Sequence, residues 1–454
     1  MENINKTNQS LKFLEFKNKA KNLLNPGIIL IVVAAITLLI ANSPWGHLYQ
    51  AFWNVEIHLG TEYFNLFNHH GHSFTALQFV NDAIMAIFFF MVGVEIKREI
   101  LIGELSSVRQ AMLPIIAAMG GIIFPILIFY VTGSIQNFSA EEFRGIAIPM
   151  ATDIAFSLGV LTMLGKRVPL SLKIFLLALA IVDDIGGIIT IAAFYSEFTL
   201  ISLLYIGIAV VLFGVLMIGN RMEIHSKPFY MTIGAIIWYM FLQAGIHPTI
   251  AGVLVAFTVP SRPHINLKEF IDSMQDNLKK LKEKHQQGSD TIVLTNEQMH
   301  ILAEIENKSD KVVSPLQDFE DNLHNWVSYF IMPLFAFANA GVVFSGEEIN
   351  IFEGVSLSIF LSLFLGKAIG IYLFTWGSVK LNISSLPKGM NFKNLAGVSM
   401  LGGIGFTVAL FLASLSYPAG SELLNQAKMG ILFGSFVSGL AGYFLLKKVL
   451  DKTI

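Results

Sequence analysis

The chain has 454 residues, of which 54% are hydrophobic and 14% charged, with a formal net charge of −2. Such a composition excludes an ordinary soluble domain, and the near-neutral charge gives no ground for a nucleic-acid partner. With no cysteine, disulfides and thiolate chemistry are excluded as well.

About 25 polar residues carrying five lysines lead into the first apolar run. A leader this long predicts that the run stays as a membrane helix rather than being removed as a signal peptide. Twelve such runs are expected, at about 26–43, 75–96, 112–133, 146–164, 172–195, 200–219, 228–244, 247–260, 327–345, 354–377, 394–416 and 425–446. Crossing the hydrocarbon takes roughly 20 residues. The seventh and eighth are split by Gly245 and Pro248. The expected fold is an all-α polytopic membrane protein. Its parts are a cytoplasmic tail (1–25), helices one to eight (26–260), a cytoplasmic polar loop (261–325), helices nine to twelve (326–446) and a second tail (447–454).

Charge sets the orientation. All but three of the 30 Lys and Arg fall in segments on the side of the N-terminus, the exceptions being Arg144, Lys367 and Lys428. Both termini are therefore expected in the cytoplasm, with the protein integral to the cytoplasmic (inner) membrane and in contact with its lipid. The opposite side holds the loop Ser43–Phe74. Its stretch Val55–Phe64, with Gly60 near the middle, predicts a short hairpin, and a homodimer through that hairpin is a further expectation. His69, His70 and His72 follow and are expected to be solvated rather than bound to metal. In the 261–325 loop, Leu267–His285 has helical spacing. The chain beyond, through Gly288 and Lys308-Ser309-Asp310, reads as flexible and partly disordered.

Two runs are interrupted in mid-membrane. One contains Pro149 in Ile148-Pro149-Met150-Ala151-Thr152-Asp153, the other Gly402, Gly403 and Gly405 in Leu401-Gly402-Gly403-Ile404-Gly405-Phe406-Thr407. They run in opposite directions. Paired interrupted spans point to the inverted-topology repeats of secondary transporters, although small residues also serve close helix packing.

The strongest single feature is Asp183-Asp184 at the centre of an apolar run. A charge at that depth costs roughly 2.5–3.5 kcal/mol on insertion scales. Adjacent carboxylates also repel, which disfavours ionisation of both. Counting from the run boundaries, Asp153, Asp183, Asp184 and Lys367 reach one level, with Asp82 and Glu95 towards the ends of the second run. Lys367 needs an acidic partner; Asp183 is the natural one, leaving Asp184 for cations. Thr152 and Asp153 belong at a helix break, where a carboxylate offsets the positive end of the following half-helix. Hard oxygen ligands suit small hard cations, and protons compete for the same oxygens. That competition is sufficient for exchange of Na+ against H+.

These residues resemble the NhaA-type sodium/proton antiporter family. The resemblance is carried by 81–99 (Asn81-Asp82 through Glu95 to Glu99), Ala151-Thr152-Asp153-Ile154-Ala155-Phe156, Val182-Asp183-Asp184, Phe335–Gly341, Gly366-Lys367-Ala368-Ile369-Gly370 and Gly403-Ile404-Gly405-Phe406-Thr407. It covers about 26–450. It implies twelve helices, with the third to fifth and tenth to twelfth as inverted repeats and the discontinuous fourth and eleventh crossing at the site. It further implies that Asp184 and Asp183 hold Na+ and protons, that Lys367 pairs with Asp183, and that Thr152 and Asp153 line the crossing. Family members exchange one Na+ or Li+ for two H+, without a cofactor, and are activated by alkaline pH. Glu95 and Glu99 would lie at the cytoplasmic funnel of the pH response, and His247 matches a histidine near the outer end. The long 261–325 loop departs from compact members. Three other readings are weaker. A sodium-coupled symporter lacks a polar cluster for a larger solute. In an intramembrane aspartyl protease, Lys367 would discharge the dyad. A channel fits poorly with carboxylates buried beside a lysine. Not an enzyme but a transporter is expected.

Overall fold

The structure, a computed structural model, describes residues 25–58, 60–61, 64–65, 68–69, 72–194, 202–287, 293–344 and 352–451. Asn25 starts the first helix, α1 (Pro26–Ala41): its side chain accepts the Gly27 N–H at 3.0 Å, and Pro26 needs no donor partner at N1. The short α2 (Gly46–Trp53) then turns away by 110°. The loop that follows pairs β1 (Gly60–Thr61) with β2 (Phe64–Asn65), and β3 (Asn68–His69) with β4 (His72–Ser73), all antiparallel. The expected hairpin thus becomes two minimal ones, and Gly60 lies in a strand, opposite Asn65. The side chains of the histidine cluster lie outside the described residues.

Helix α3 (Ala76–Ile102) opens on a Thr75–Gln78 capping box and widens into a π-helical turn at Val80–Ile84. Next come α4 (Val108–Ile135), α5 (Ala140–Met150) and α6 (Ile154–Met163). They are followed by α7 (Leu170–Phe194), α8 (Ser202–Arg221), α9 (Lys227–Ala244) and α10 (Thr249–Thr258). Gly245 ends α9 in the left-handed region, at φ 73°, a conformation glycine adopts without strain.

The polar insertion folds as two helices, α11 (Leu267–Gln287) and α12 (Asn296–Val312). This corrects the expectation of flexible chain through Lys308-Ser309-Asp310. The physical reason is local: Thr295 and Gln298 form a capping box, and Lys308 bonds both Ser273 on α11 and Glu304 one turn away. The Lys311 carbonyl receives the N–H groups of His264 and Ile265, so the two ends of the insertion meet.

Helix α13 consists of Pro315–Trp326, a π-helical turn Val327–Ile331 and Met332–Asn339. Helix α14 (Gly354–Lys380) has a third π-helical turn, Ser362–Lys367. The chain ends in α15 (Phe392–Leu401), α16 (Phe406–Ser416) and α17 (Glu422–Leu450). Six helices are each long and apolar enough to cross a membrane, namely α3, α4, α7, α8, α14 and α17; three bent pairs raise the number to nine among the described residues.

Lipid offers no hydrophobic drive between helices, so close approach of small residues holds the bundle. A Cβ on Gly120 of α4 would lie 2.2 Å from the Gly370 carbonyl oxygen of α14, and one on Gly366 would lie 2.8 Å from Pro125 Cα. Helices α3 and α10 meet in the same way, Gly252 against the Ala86 carbonyl.

Candidate functional site

Two helix breaks face each other at the centre. Pair α5–α6 bends by 47° across 151–153, where Pro149 closes a 3-10 stretch; pair α15–α16 bends by 44° across 402–405. A break frees backbone groups that lipid cannot satisfy. Here each break supplies the other: the Asp153 N–H donates to the Ile404 carbonyl at 2.7 Å, and Ser157 Oγ to the Leu401 carbonyl at 3.0 Å. The glycines leave no room for side chains. A Cβ on Gly402 would meet Ile371 Cδ1 at 2.5 Å, one on Gly403 the Leu363 carbonyl at 2.5 Å, and one on Gly405 the Ala151 carbonyl at 3.0 Å.

Asp153 is the N-cap of α6, its Oδ1 accepting the Phe156 N–H at 2.9 Å. Its Oδ2 accepts both the N–H and the hydroxyl of Thr407, at 3.1 and 2.6 Å. Thr152, one residue earlier, has its hydroxyl 2.6 Å from Asp183 Oδ2 and 3.0 Å from the Gly402 carbonyl. Lys367, at the end of the α14 π-turn, donates to Asp183 Oδ2 and to Thr152 Oγ1, the latter at 2.6 Å. Asp153, Thr152, Asp183, Asp184 and Lys367 are all buried. Oδ1 of Asp183 and Oδ1 of Asp184 are buried with no hydrogen-bond partner among the described residues.

The two aspartates differ in access. A cavity of about 450 Å3 is lined by Asp184, Asp153, Thr152 and Thr407 at one end, and by Glu95, Arg98, Glu320 and His324 at the other. Asp183 and Lys367 are not in its lining. The arrangement offers the oxygens of Asp184, Asp153, Thr152 and Thr407 to a small hard cation.

The remaining predicted residues are dispersed. Glu95 lies in the cavity lining, but Glu99 does not; it is buried behind Arg98, which bonds it at 2.6 Å, and takes the Glu104 N–H at 2.9 Å. Arg98 also reaches Glu320, at 3.0 Å. Burial pushes the Glu320 carboxyl above its ordinary range, with Arg98 opposing. His247 sits apart from the break. Its Nδ1 is 3.1 Å from Thr249 Oγ1, its Nε2 is 3.8 Å from Asp82, and its ring stands edge-on to Phe411.

Thr407 and the pair Asn81–Asn339 had no assigned role in the sequence reading, although both fall within the motif strings. Asn339 Nδ2 donates to Asn81 Oδ1 at 2.8 Å in a buried contact between α13 and α3. Their signal was the one that marked the aspartates: a polar side chain inside an apolar run.

Comparison with known proteins identifies the family. The family described as Na+/H+ antiporter 1 matches residues 18–446. The protein named Na(+)/H(+) antiporter NhaA of Phocaeicola vulgatus is 48% identical over 440 residues, covering 96% of each chain. Proteins of the same name from Bacteroides fragilis and Bacteroides thetaiotaomicron are each 50% identical. The first match covers 94% of this chain and 95% of its relative, the second 93% and 94%. The chain belongs to the Na+/H+ antiporter 1 family.

Proposed function

We propose that the protein exchanges Na+ or Li+ for H+ across the cytoplasmic membrane, by alternating access to one pair of aspartates. The observation that carries this reading is the difference in access: Asp184 lines the cavity, while Asp183 is bonded to Lys367 and Thr152 outside its lining. A cation entering past Glu95 meets Asp184, Asp153 and Thr152. Its charge favours loss of the Asp184 proton and of one proton from the Lys367 ammonium, which loosens Lys367 from Asp183. Protons returning from the other side to Lys367 and Asp184 restore the bond and expel the cation. With more than one proton moved per Na+, the exchange is electrogenic.

In this reading the chain makes twelve spans. The third to fifth and tenth to twelfth are inverted repeats, the bent pairs α5–α6 and α15–α16 are the fourth and eleventh spans, and both termini are cytoplasmic. Glu95, Glu99 and His247 carry the pH response, the first two through Arg98 at the cavity mouth. A homodimer forms through the Ser43–Phe74 loop. The test is Na+-induced dissipation of a pH gradient in everted membrane vesicles, scanned over pH. Dissipation that requires Na+ or Li+ and is absent with K+ is expected. A gradient untouched by Na+ across the alkaline range, with the protein present in the membrane, rules the reading out.

A further inference from the structure

An apolar slot of about 330 Å3 lies between the first and last membrane helices, and exchange gives it no role. Leu38 of α1 forms one wall, Met429, Phe433 and Phe436 of α17 the other, and Phe156 and Phe406 the floor. Its rims run into surface that a membrane protein turns to lipid: Leu39 is 72% exposed and Phe436 57%. From Met429 to Phe436 the slot runs about 10 Å along the helix axis. Ser435 is its polar lining residue, and its buried hydroxyl has no hydrogen-bond partner among the described residues.

A second observation lies at the residue just before Met429. Lys428 shares the face of α17 that carries Leu432 and Ser435. It is buried, yet makes no hydrogen bond or ion pair among the described residues. A lysine mostly withdrawn from solvent and without a partner needs an account. Helix α17 has 29 residues, about 43 Å, against a hydrocarbon core of about 30 Å. Centred on the bilayer, it places Lys428 just inside the boundary at its Ser421 end, where a lysine reaches the headgroups.

We propose that the slot holds a phospholipid, one acyl chain lying along α17 with its end on the Phe156–Phe406 pair and its phosphate taken by Lys428. The leaflet is the one at the Ser421 end, extracytoplasmic in the proposed topology. The chain end then touches the two residues next to the central clasp. Phe156 donates its own N–H to Asp153, and Phe406 precedes Thr407, which donates to the same carboxylate. The site rests on the membrane reading alone, and its test reads lipid rather than transport.

The full chain is placed in phosphatidylglycerol nanodiscs with a small share of phosphatidylglycerol carrying a diazirine at the end of one acyl chain. After illumination, labelled residues are mapped by mass spectrometry. Labelling of Phe156 and Phe406 is expected to exceed that of Val210 and Val211, on exposed α8, several-fold. Ala35→Trp, at an exposed lining position, should abolish the excess without changing Val210. Lys428→Gln should lower it several-fold and Lys428→Arg restore it, while a diazirine-bearing alkane labels all variants except Ala35→Trp alike. No excess at Phe156 and Phe406, or an excess that survives Ala35→Trp, overturns the site. Equal labelling of Lys428→Gln and the parent overturns the phosphate contact.

Discussion

Asp153 and Thr407 belong to different broken helices, yet both Thr407 donors converge on one Asp153 oxygen, at 3.1 Å from the N–H and 2.6 Å from the hydroxyl. The clasp joins two chain segments 254 residues apart and leaves Asp153 Oδ1 to cap α6. Thr407→Val removes the hydroxyl and leaves the N–H. A hydrogen bond to a charged group contributes about 1.5–3 kcal/mol, so the variant should melt several degrees lower and exchange more slowly. Thr407→Ser keeps the donor and should stay near the parent. Equal melting of Thr407→Val and the parent would show that the clasp carries no stability.

Asp184→Asn keeps the shape of the side chain but cannot bind Na+ or H+ through charge. The protein should reach the membrane at normal levels and show no Na+-dependent gradient dissipation in vesicles. Exchange within a few-fold of the parent would remove Asp184 from the mechanism.

Asp183→Asn has a different cost. It leaves Lys367 as a buried, unpaired charge, a loss on the order of 3–5 kcal/mol. Combining it with Lys367→Met, which removes the stranded charge, should return most of that stability without restoring exchange. Thermal melting of the purified single and double variants measures this, and additive losses would argue against the pairing.

Competition fixes the sign of the pH effect on Na+ affinity. If Na+ and H+ share the aspartates, the apparent KM for Na+ rises as pH falls, by about tenfold per unit once pH is below the site pKa. Two coupled protons steepen the slope. Initial rates in proteoliposomes over a grid of Na+ and pH give the slope directly. A constant KM with only the maximal rate changing would separate the pH response from the ion site. The cavity mouth then becomes the place to look. There burial raises the Glu320 carboxyl, so as pH falls it protonates, and releases Arg98, earlier than an exposed glutamate would.

The α11–α12 hairpin is predicted to be dispensable for exchange at optimal pH. Its ends meet at the Lys311 carbonyl, so residues 267–310 can be replaced by a short Gly-Ser linker without pulling on α10 or α13. Removing α12 alone would instead strip α11 of its Lys308 and Glu297 contacts. Loss of exchange at normal membrane levels after the full excision would assign the hairpin to the machinery.

The central geometry was legible wherever a polar residue interrupts an apolar run, because lipid makes such a residue expensive. Asp183, Asp184, Lys367 and the breaks at Pro149 and Gly402–Gly405 all stand out on that ground. Adjacent residues on a helix point about 100° apart, and the string Val182-Asp183-Asp184 does not by itself say which aspartate lines the cavity; it was the demand of Lys367 for a partner that separated Asp183 from Asp184. Three π-helical turns, one of them carrying Lys367, were hidden, since an added residue per turn has no compositional mark. In the 261–325 segment the helical spacing over Leu267–His285 was legible and is α11, whereas the polarity beyond hid α12, which a capping box at Thr295–Gln298 starts and Lys308 ties to α11.

The contact between Gly120 and Gly370 has a mechanical consequence. With backbone against backbone and no side chain between, α4 and α14 have no layer along which to slip. The same is true of α3 and α10 at Gly252. Each pair acts as a welded strut. Lys367 rides on one strut and Glu95 on the other, so under the proposed alternating access each is carried by a rigid pair of helices. A bulky residue at Gly120 would pry a strut apart; the same residue on an exposed face of either helix would only add weight to it.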